Sequence, residues 1–166
     1  MIIHCSELIK EESGNISIGN CYIGDDSDKA VNELCMYSRV DKSEGRLSCW
    51  MDVDLMWPRN VLADKDVFDA SIYCTYNFKT DNEICQIELE MRCFRDYPFH
   101  LIAEFQDKLD LMTRNSIFEY RSPNPDPESM LNNVSIVSKY CVCELIWTKK
   151  EYDGDYFVKV FLTPNS

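Results

Sequence analysis

The side chains of this 166-residue chain that could do chemistry are nine cysteines, two histidines and 29 carboxylates. The cysteines are Cys5, Cys21, Cys35, Cys49, Cys74, Cys85, Cys93, Cys141 and Cys143. A disulfide framework belongs to short secreted chains that lack a sufficient core, and it uses an even number of thiols. Here the number is odd, and a chain of this length buries roughly two-thirds of its unfolded surface without staples. A zinc site needs clustered thiolate and imidazole donors, yet no CxxC occurs and only His4 and His100 offer imidazoles. Cys141-Val142-Cys143 is the one close pair. Most of the nine stand in apolar-patterned strands, where a free thiol acts as a small hydrophobe. They read as reduced core thiols, with no disulfide and no metal.

Catalytic patterns are missing from the rest. There is no GxSxG elbow, no glycine-rich phosphate loop and no HExxH, and five glycines leave little with which to cradle a cofactor. His4 or His100 could activate a cysteine, but both fall in stretches read as strands, near the polar edges of apolar runs, where a structural role is expected. The carboxylates alternate outward along strands, as on a solvated sheet face, and no two are set apart as an acid and base. The expectation is a protein without enzymatic activity or cofactor. Were it a thiol-dependent enzyme, one partly exposed cysteine would sit beside a cation.

Charge narrows the partners. Twenty-nine acidic residues against 17 basic ones leave a net charge of -12, spread along the chain. That balance repels phosphate backbones and anionic lipid heads, so neither nucleic acid nor a membrane surface is expected as a partner. A basic protein surface is the natural complement. No stretch approaches 18 apolar residues, and MIIHCSELIKEES has no positive segment leading into an apolar run. Neither a membrane span nor a signal peptide is expected, and the sequons at Asn15 and Asn133 carry no meaning in a chain that is not secreted.

The elements that must position these side chains are strands. Leu47, Cys49, Met51, Val53, Leu55 and Trp57 alternate mainly with Ser48, Asp52 and Asp54. Phe68, Ala70, Ile72, Cys74, Tyr76 and Phe78 do the same over 68–78, and Cys85, Ile87, Leu89, Met91 and Cys93 over 85–93. Period-two alternation gives a strand one buried and one wet face, whereas a helix would scatter those charges around its circumference. Lys79 to Glu83 reads as the hairpin connection between the last two runs. Weaker strands are expected at 2–9, 16–23, 32–39, 99–105, 116–121 and 156–162. The stretch 134–147 changes phase near Ser138-Lys139, as at a β-bulge or a bend between sheets. Only 106–113 reads as a short helix. Ser122 to Glu128, with Pro123, Pro125 and Pro127, reads as an exposed connector. Many short strands with little helix predict one all-β domain over 1–166, an antiparallel two-sheet β-sandwich with at most one or two short helices.

Gly14-Asn15-Ile16-Ser17-Ile18-Gly19-Asn20 and Gly24-Asp25 resemble the opening of the poxvirus host-range family typified by the vaccinia virus interferon-resistance host-range protein. The resemblance runs in register from Cys35 to Trp57, through Val67-Phe68-Asp69-Ala70 and Tyr73, and through the hairpin at Lys79 and Asp81. It resumes at Val134-Ser135-Ile136 and Ser138 to Glu144. It implies a β-sandwich acting in the host-cell cytoplasm that binds a host antiviral protein, a restriction factor carrying a sterile-alpha-motif domain. By position, it implies a binding edge made of Asp25, Asp26, Arg59, Lys79, Asp81, Asn82 and Ile84. Two places depart from the family pattern: Ile84 stands where an aromatic is expected, and 122–128 looks like an insertion. A different class, a carrier for an apolar ligand, would instead require an apolar cavity of several hundred Å3 between or beneath the sheets, the order of size of a small-molecule site.

Overall fold

Alternating apolar residues build one large sheet with a dry face. The computed structural model describes residues 2–4, 8–32, 39–56, 67–93, 99–114, 118–121, 131–148 and 156–165. Its strands are β1 (Ile2–His4), β2 (Ile9–Glu12), β3 (Asn15–Ile18), β4 (Cys21–Tyr22), β5 (Arg39–Ser43), β6 (Arg46–Met56), β7 (Val67–Phe78), β8 (Ile84–Cys93), β9 (Glu119–Arg121), β10 (Leu131–Val137), β11 (Cys141–Thr148) and β12 (Tyr156–Pro164). Two helices accompany them, α1 (Ser27–Asn32) and α2 (Phe99–Arg114).

The large sheet has nine strands in the order β1-β6-β7-β8-β12-β11-β10-β9, with β5 also beside β6. β5 takes the Arg46–Trp50 half of β6 and β1 takes Asp54–Met56, so the two lie end to end along one edge. Among the described residues every pairing is antiparallel except the short parallel one between β1 and β6. The remaining strands form a small sheet in the order β2-β3-β4.

Strand register lines the apolar residues up in rows across the sheet. One row is Leu47, Tyr76, Ile87, Leu162, Cys143 and Ile136. The next is Cys49, Cys74, Leu89, Val160, Leu145 and Val134, and a third is Met51, Ile72, Met91, Val158 and Trp147. All but the half-buried Val134 are buried. Cross-strand pairs of this kind are the unit of sheet stability. Ile9, Ile16, Ile18 and Cys21 of the small sheet, and Ile102, Phe105, Leu109 and Met112 of α2, complete the same core cluster. β3 and α2 each pack on β11.

The three strongest alternating runs form the strands expected of them, and Met51, Ile72, Cys74, Ile87 and Leu89 are buried together. The Val53 side chain lies outside the described residues. Several other expectations need correcting. Residues 99–105 are not a strand but the first turns of α2, which continues to Arg114 instead of being confined to 106–113. His100 therefore stands on a helix. The phase change near Ser138-Lys139 is neither a bulge nor a bend between sheets; it is the tight turn of the β10–β11 hairpin. The stretch 2–9 divides into β1 and the start of β2, and 16–23 divides at Gly19-Asn20. α1 was not expected. The 32–39 stretch lies mostly outside the described residues, as does all of 122–128.

Cys21, Cys49, Cys74, Cys85, Cys141 and Cys143 are free thiols, all buried except the half-buried Cys85. No group of three or more His, Cys, Asp or Glu is placed to hold a metal ion among the described residues. No helix among them is long and apolar enough to cross a membrane.

Candidate binding edge and outer-face cavity

Two turns that are far apart in sequence are knitted together at one end of the molecule. The Gly24 N–H donates to the Ile84 carbonyl at 2.8 Å, and the Ile84 N–H returns a bond to the Asp25 carbonyl at 2.8 Å. The Ser27 N–H donates to the Asn82 carbonyl at 2.8 Å, and Asp26 bridges to Glu83 in strand fashion. This ladder joins the turn leading into α1 to the tip of the β7–β8 hairpin. It gives each turn backbone hydrogen bonds that neither could make alone.

Local chemistry sets each turn. Asp26 caps α1 by accepting the Asp28 N–H at 2.9 Å, as a side chain at a helix N-cap does. Asp25 accepts the Tyr22 N–H at 2.8 Å and the Lys29 ammonium at 3.0 Å. That hydrogen bond raises the Lys29 pKa above its ordinary value. At the hairpin tip, the Lys79 N–H donates to the Glu83 carbonyl at 2.8 Å and the Asn82 N–H to the Lys79 carbonyl at 2.9 Å. Asn82 takes φ 65°, the left-handed region where Asn is among the better-tolerated residues. Gly24 takes φ 93°, and a Cβ there would also come within 3.5 Å of the Glu83 carboxylate. A third turn meets the same end, for Phe78 donates its N–H to the Gly45 carbonyl at 2.8 Å.

Of the residues expected at the binding edge, Asp25, Asp26, Lys79, Asp81 and Asn82 are gathered here. Asp26, Lys79, Asp81 and Asn82 are exposed and Asp25 is half-buried. Arg59 lies outside the described residues. Ile84 is brought to the edge by its backbone, but its side chain is buried in the core. The cause is a β-bulge: Asn77 pairs with Gln86 while Phe78 pairs with Ile84, so Cys85 is the extra residue and parity shifts by one. Ile84 then points inward and Cys85 becomes half-buried, the reverse of what strict alternation predicts. Asp28 and Glu83 were missed. Their signal was available, since both flank turn residues on the polar side. The edge carries Asp25, Asp26, Asp28, Asp81 and Glu83 against Lys29 and Lys79 and is acidic overall.

A second feature lies on the opposite, outer face of the large sheet. There β5 to β8 enclose a trough of about 540 Å3, lined by Arg39, Asp41, Arg46, Trp50, Glu88 and Glu90 among others. Its lining is polar and aromatic and it is open to solvent. It therefore differs from the enclosed apolar cavity that a carrier of apolar ligands would need.

These features define an all-β two-sheet protein with an acidic edge held by backbone hydrogen bonds. No protein-family model, curated protein or solved structure matches the chain.

Proposed function

We propose that the chain is a non-enzymatic binding protein whose acidic edge docks on a basic surface of another protein. The observation that carries this reading is the hydrogen-bonded ladder between Gly24–Ser27 and Asn82–Ile84. Loops held on a rigid scaffold are where recognition concentrates, and a surface ordered before binding avoids much of the entropy cost of association. The acid excess of the edge suits a basic target and speeds encounter at low salt. The resemblance to the poxvirus host-range family supplies the particular partner. It is a host restriction factor carrying a sterile-alpha-motif domain, bound in the cytoplasm of the infected cell so that interferon-linked defences fail.

The test is affinity capture of that factor from interferon-treated mammalian cells. Asp28→Arg combined with Asp81→Arg reverses two exposed charges, leaves the Asp26 cap in place, and should abolish capture while the melting temperature stays close to that of the unaltered protein. Ile84→Ala is the wrong probe, because it truncates a core side chain and lowers stability by about 2–5 kcal/mol. If the charge-reversed protein captures the factor as well as the original, the edge is not the docking surface. If the original captures no such factor, the assignment of partner fails.

A further inference from the structure

The outer-face trough has the volume of a small-molecule site: about 540 Å3, within the range of about 300–1,000 Å3 that such sites occupy. On its floor, Ser48 and Thr75 bring their hydroxyls within 3.3 Å of each other across β6 and β7. Trp50 and Tyr73, also cross-strand partners, form an aromatic wall with ring centroids 6.3 Å apart and planes at 48°. Glu88 and Glu90 stand on the β8 side, and Arg39, Asp41 and Arg46 on the β5–β6 side.

The charges do not balance evenly across the trough. Lys159 reaches Glu88 at 3.5 Å and Glu90 at 3.6 Å, and Arg92 reaches Glu90 at 3.3 Å. Arg92 also lies over the Tyr73 ring, 4.9 Å from its centroid. The acidic wall is thus already neutralised from below, and the cation position over Tyr73 is occupied. On the other wall, Arg39 meets Asp41 only at 4.0 Å, with both side chains more than 70% exposed. Arg46 forms no ion pair among the described residues. The Trp50 indole N–H adds a donor that is shielded from water and has no acceptor among the described residues. Buried donors are nearly always satisfied, and this one belongs to a side chain that lines the trough, which makes its resonance a reporter of what enters.

We propose that this trough binds a small planar organic anion, an aromatic carboxylate or aryl phosphate. Its ring lies against Trp50 and Tyr73, and its acid group is held by Arg39 and Arg46. Guanidinium groups match carboxylate and phosphate oxygens in a fork geometry, and offset or tilted aromatic contacts hold the ring. The site is on the sheet face and uses none of the residues of the acidic edge, so it stands independently of the protein-binding reading.

Titration of the 15N-labelled protein, followed by the Trp50 indole N–H resonance, tests the proposal. Trp50→Phe identifies that peak among the indole signals by deleting it. Indole-3-acetate and tryptamine share a ring and carry opposite charges, and phenyl phosphate offers a second anion. Indole-3-acetate and phenyl phosphate should shift the Trp50 signal saturably, and tryptamine should not. Arg46→Glu, a change at an exposed position, should weaken both anions by about tenfold or more with the melting temperature held. Equal binding of tryptamine, no saturable shift with either anion, or unchanged affinity in Arg46→Glu would each overturn it.

Discussion

Cys49, Cys141 and Cys143 show how a reactive side chain becomes an inert one. Burial pushes the Cys49 thiol up to about 12 and raises Cys141 and Cys143 as well. The thiolate is the nucleophile, so these sulfurs are unreactive at neutral pH. Brief alkylation of the native protein, followed by peptide mapping, should label Cys85 and leave Cys21, Cys49, Cys74, Cys141 and Cys143 untouched; modification of Cys49 or Cys143 would show that the core opens easily. The same shifts make stability fall in alkali. An unfolded thiol ionises near pH 8.5, whereas the folded protein keeps that proton. The stabilisation is therefore complete below about pH 8.5 and is lost as pH rises toward 12. Lys29, raised by its bond to Asp25, acts in the same direction at higher pH. Urea midpoints should be level from pH 7 to 8.5 and decline above about 9, and Cys49→Ala should reduce that decline. At this scale the sequence was informative about the cysteines, because alternation alone puts Cys49, Cys74 and Cys143 on the apolar parity. It was misleading at Ile84. One extra residue at the bulge inverts parity, and nothing in the composition of Ile84-Cys85-Gln86 announces it.

At the scale of elements, long alternating runs were legible and α2 was not. Phe99-His100-Leu101-Ile102-Ala103 begins as a mostly apolar run, which periodicity cannot assign to strand or helix. The helical pattern appears only when Ile102, Phe105, Leu109 and Met112 are taken together at spacings of three and four, and these four are the buried face. Phe105 is 1% exposed and Leu111 60% exposed on the same helix. Phe105→Ala should cost about 3–5 kcal/mol, and Leu111→Ser should stay within about 0.5 kcal/mol of the original protein. Denaturant unfolding measures both. A small effect at Phe105 would mean that α2 contributes little to the core. The β10–β11 hairpin was hidden for a related reason. Its turn, Ser138-Lys139-Tyr140, lacks glycine and proline, so only the change in apolar phase betrayed it. The Ser138 hydroxyl does what those residues would, accepting the Tyr140 N–H at 3.2 Å and the Cys141 N–H at 3.4 Å.

At the scale of the whole molecule, the large sheet is two antiparallel meanders joined along one seam. β5 to β8 follow one another in space, as do β9 to β12, and β12 inserts between β11 and β8 to make a single sheet. Apolar patterning identifies strands but says nothing of which distant strands become neighbours, so β12 read only as a closing strand. The edge strand β5, with Arg39, Asp41 and Lys42 exposed, carries the charges that discourage further pairing. The seam is open to a direct test at Lys159, which pairs in register with Glu90 on β8 and Ile146 on β11. Its side chain lies on the outer face, where it contributes the ion pairs to Glu88 and Glu90. Lys159→Ala removes those partly exposed pairs and the ammonium's contact with the Phe157 ring, 5.0 Å from its centroid, while Glu90 keeps Arg92, so the loss should be about 1–2 kcal/mol. Lys159→Pro removes the same side-chain contacts and in addition a backbone donor from the middle of the sheet, so that the lost bond and the acceptor left unsatisfied cost about 3 kcal/mol beyond the alanine variant. In a protein of this size that difference corresponds to a melting temperature at least about 6 °C below that of Lys159→Ala. Thermal melts followed by circular dichroism compare the two variants. If they melt together, the backbone pairing of β12 is not what holds the two meanders as one sheet.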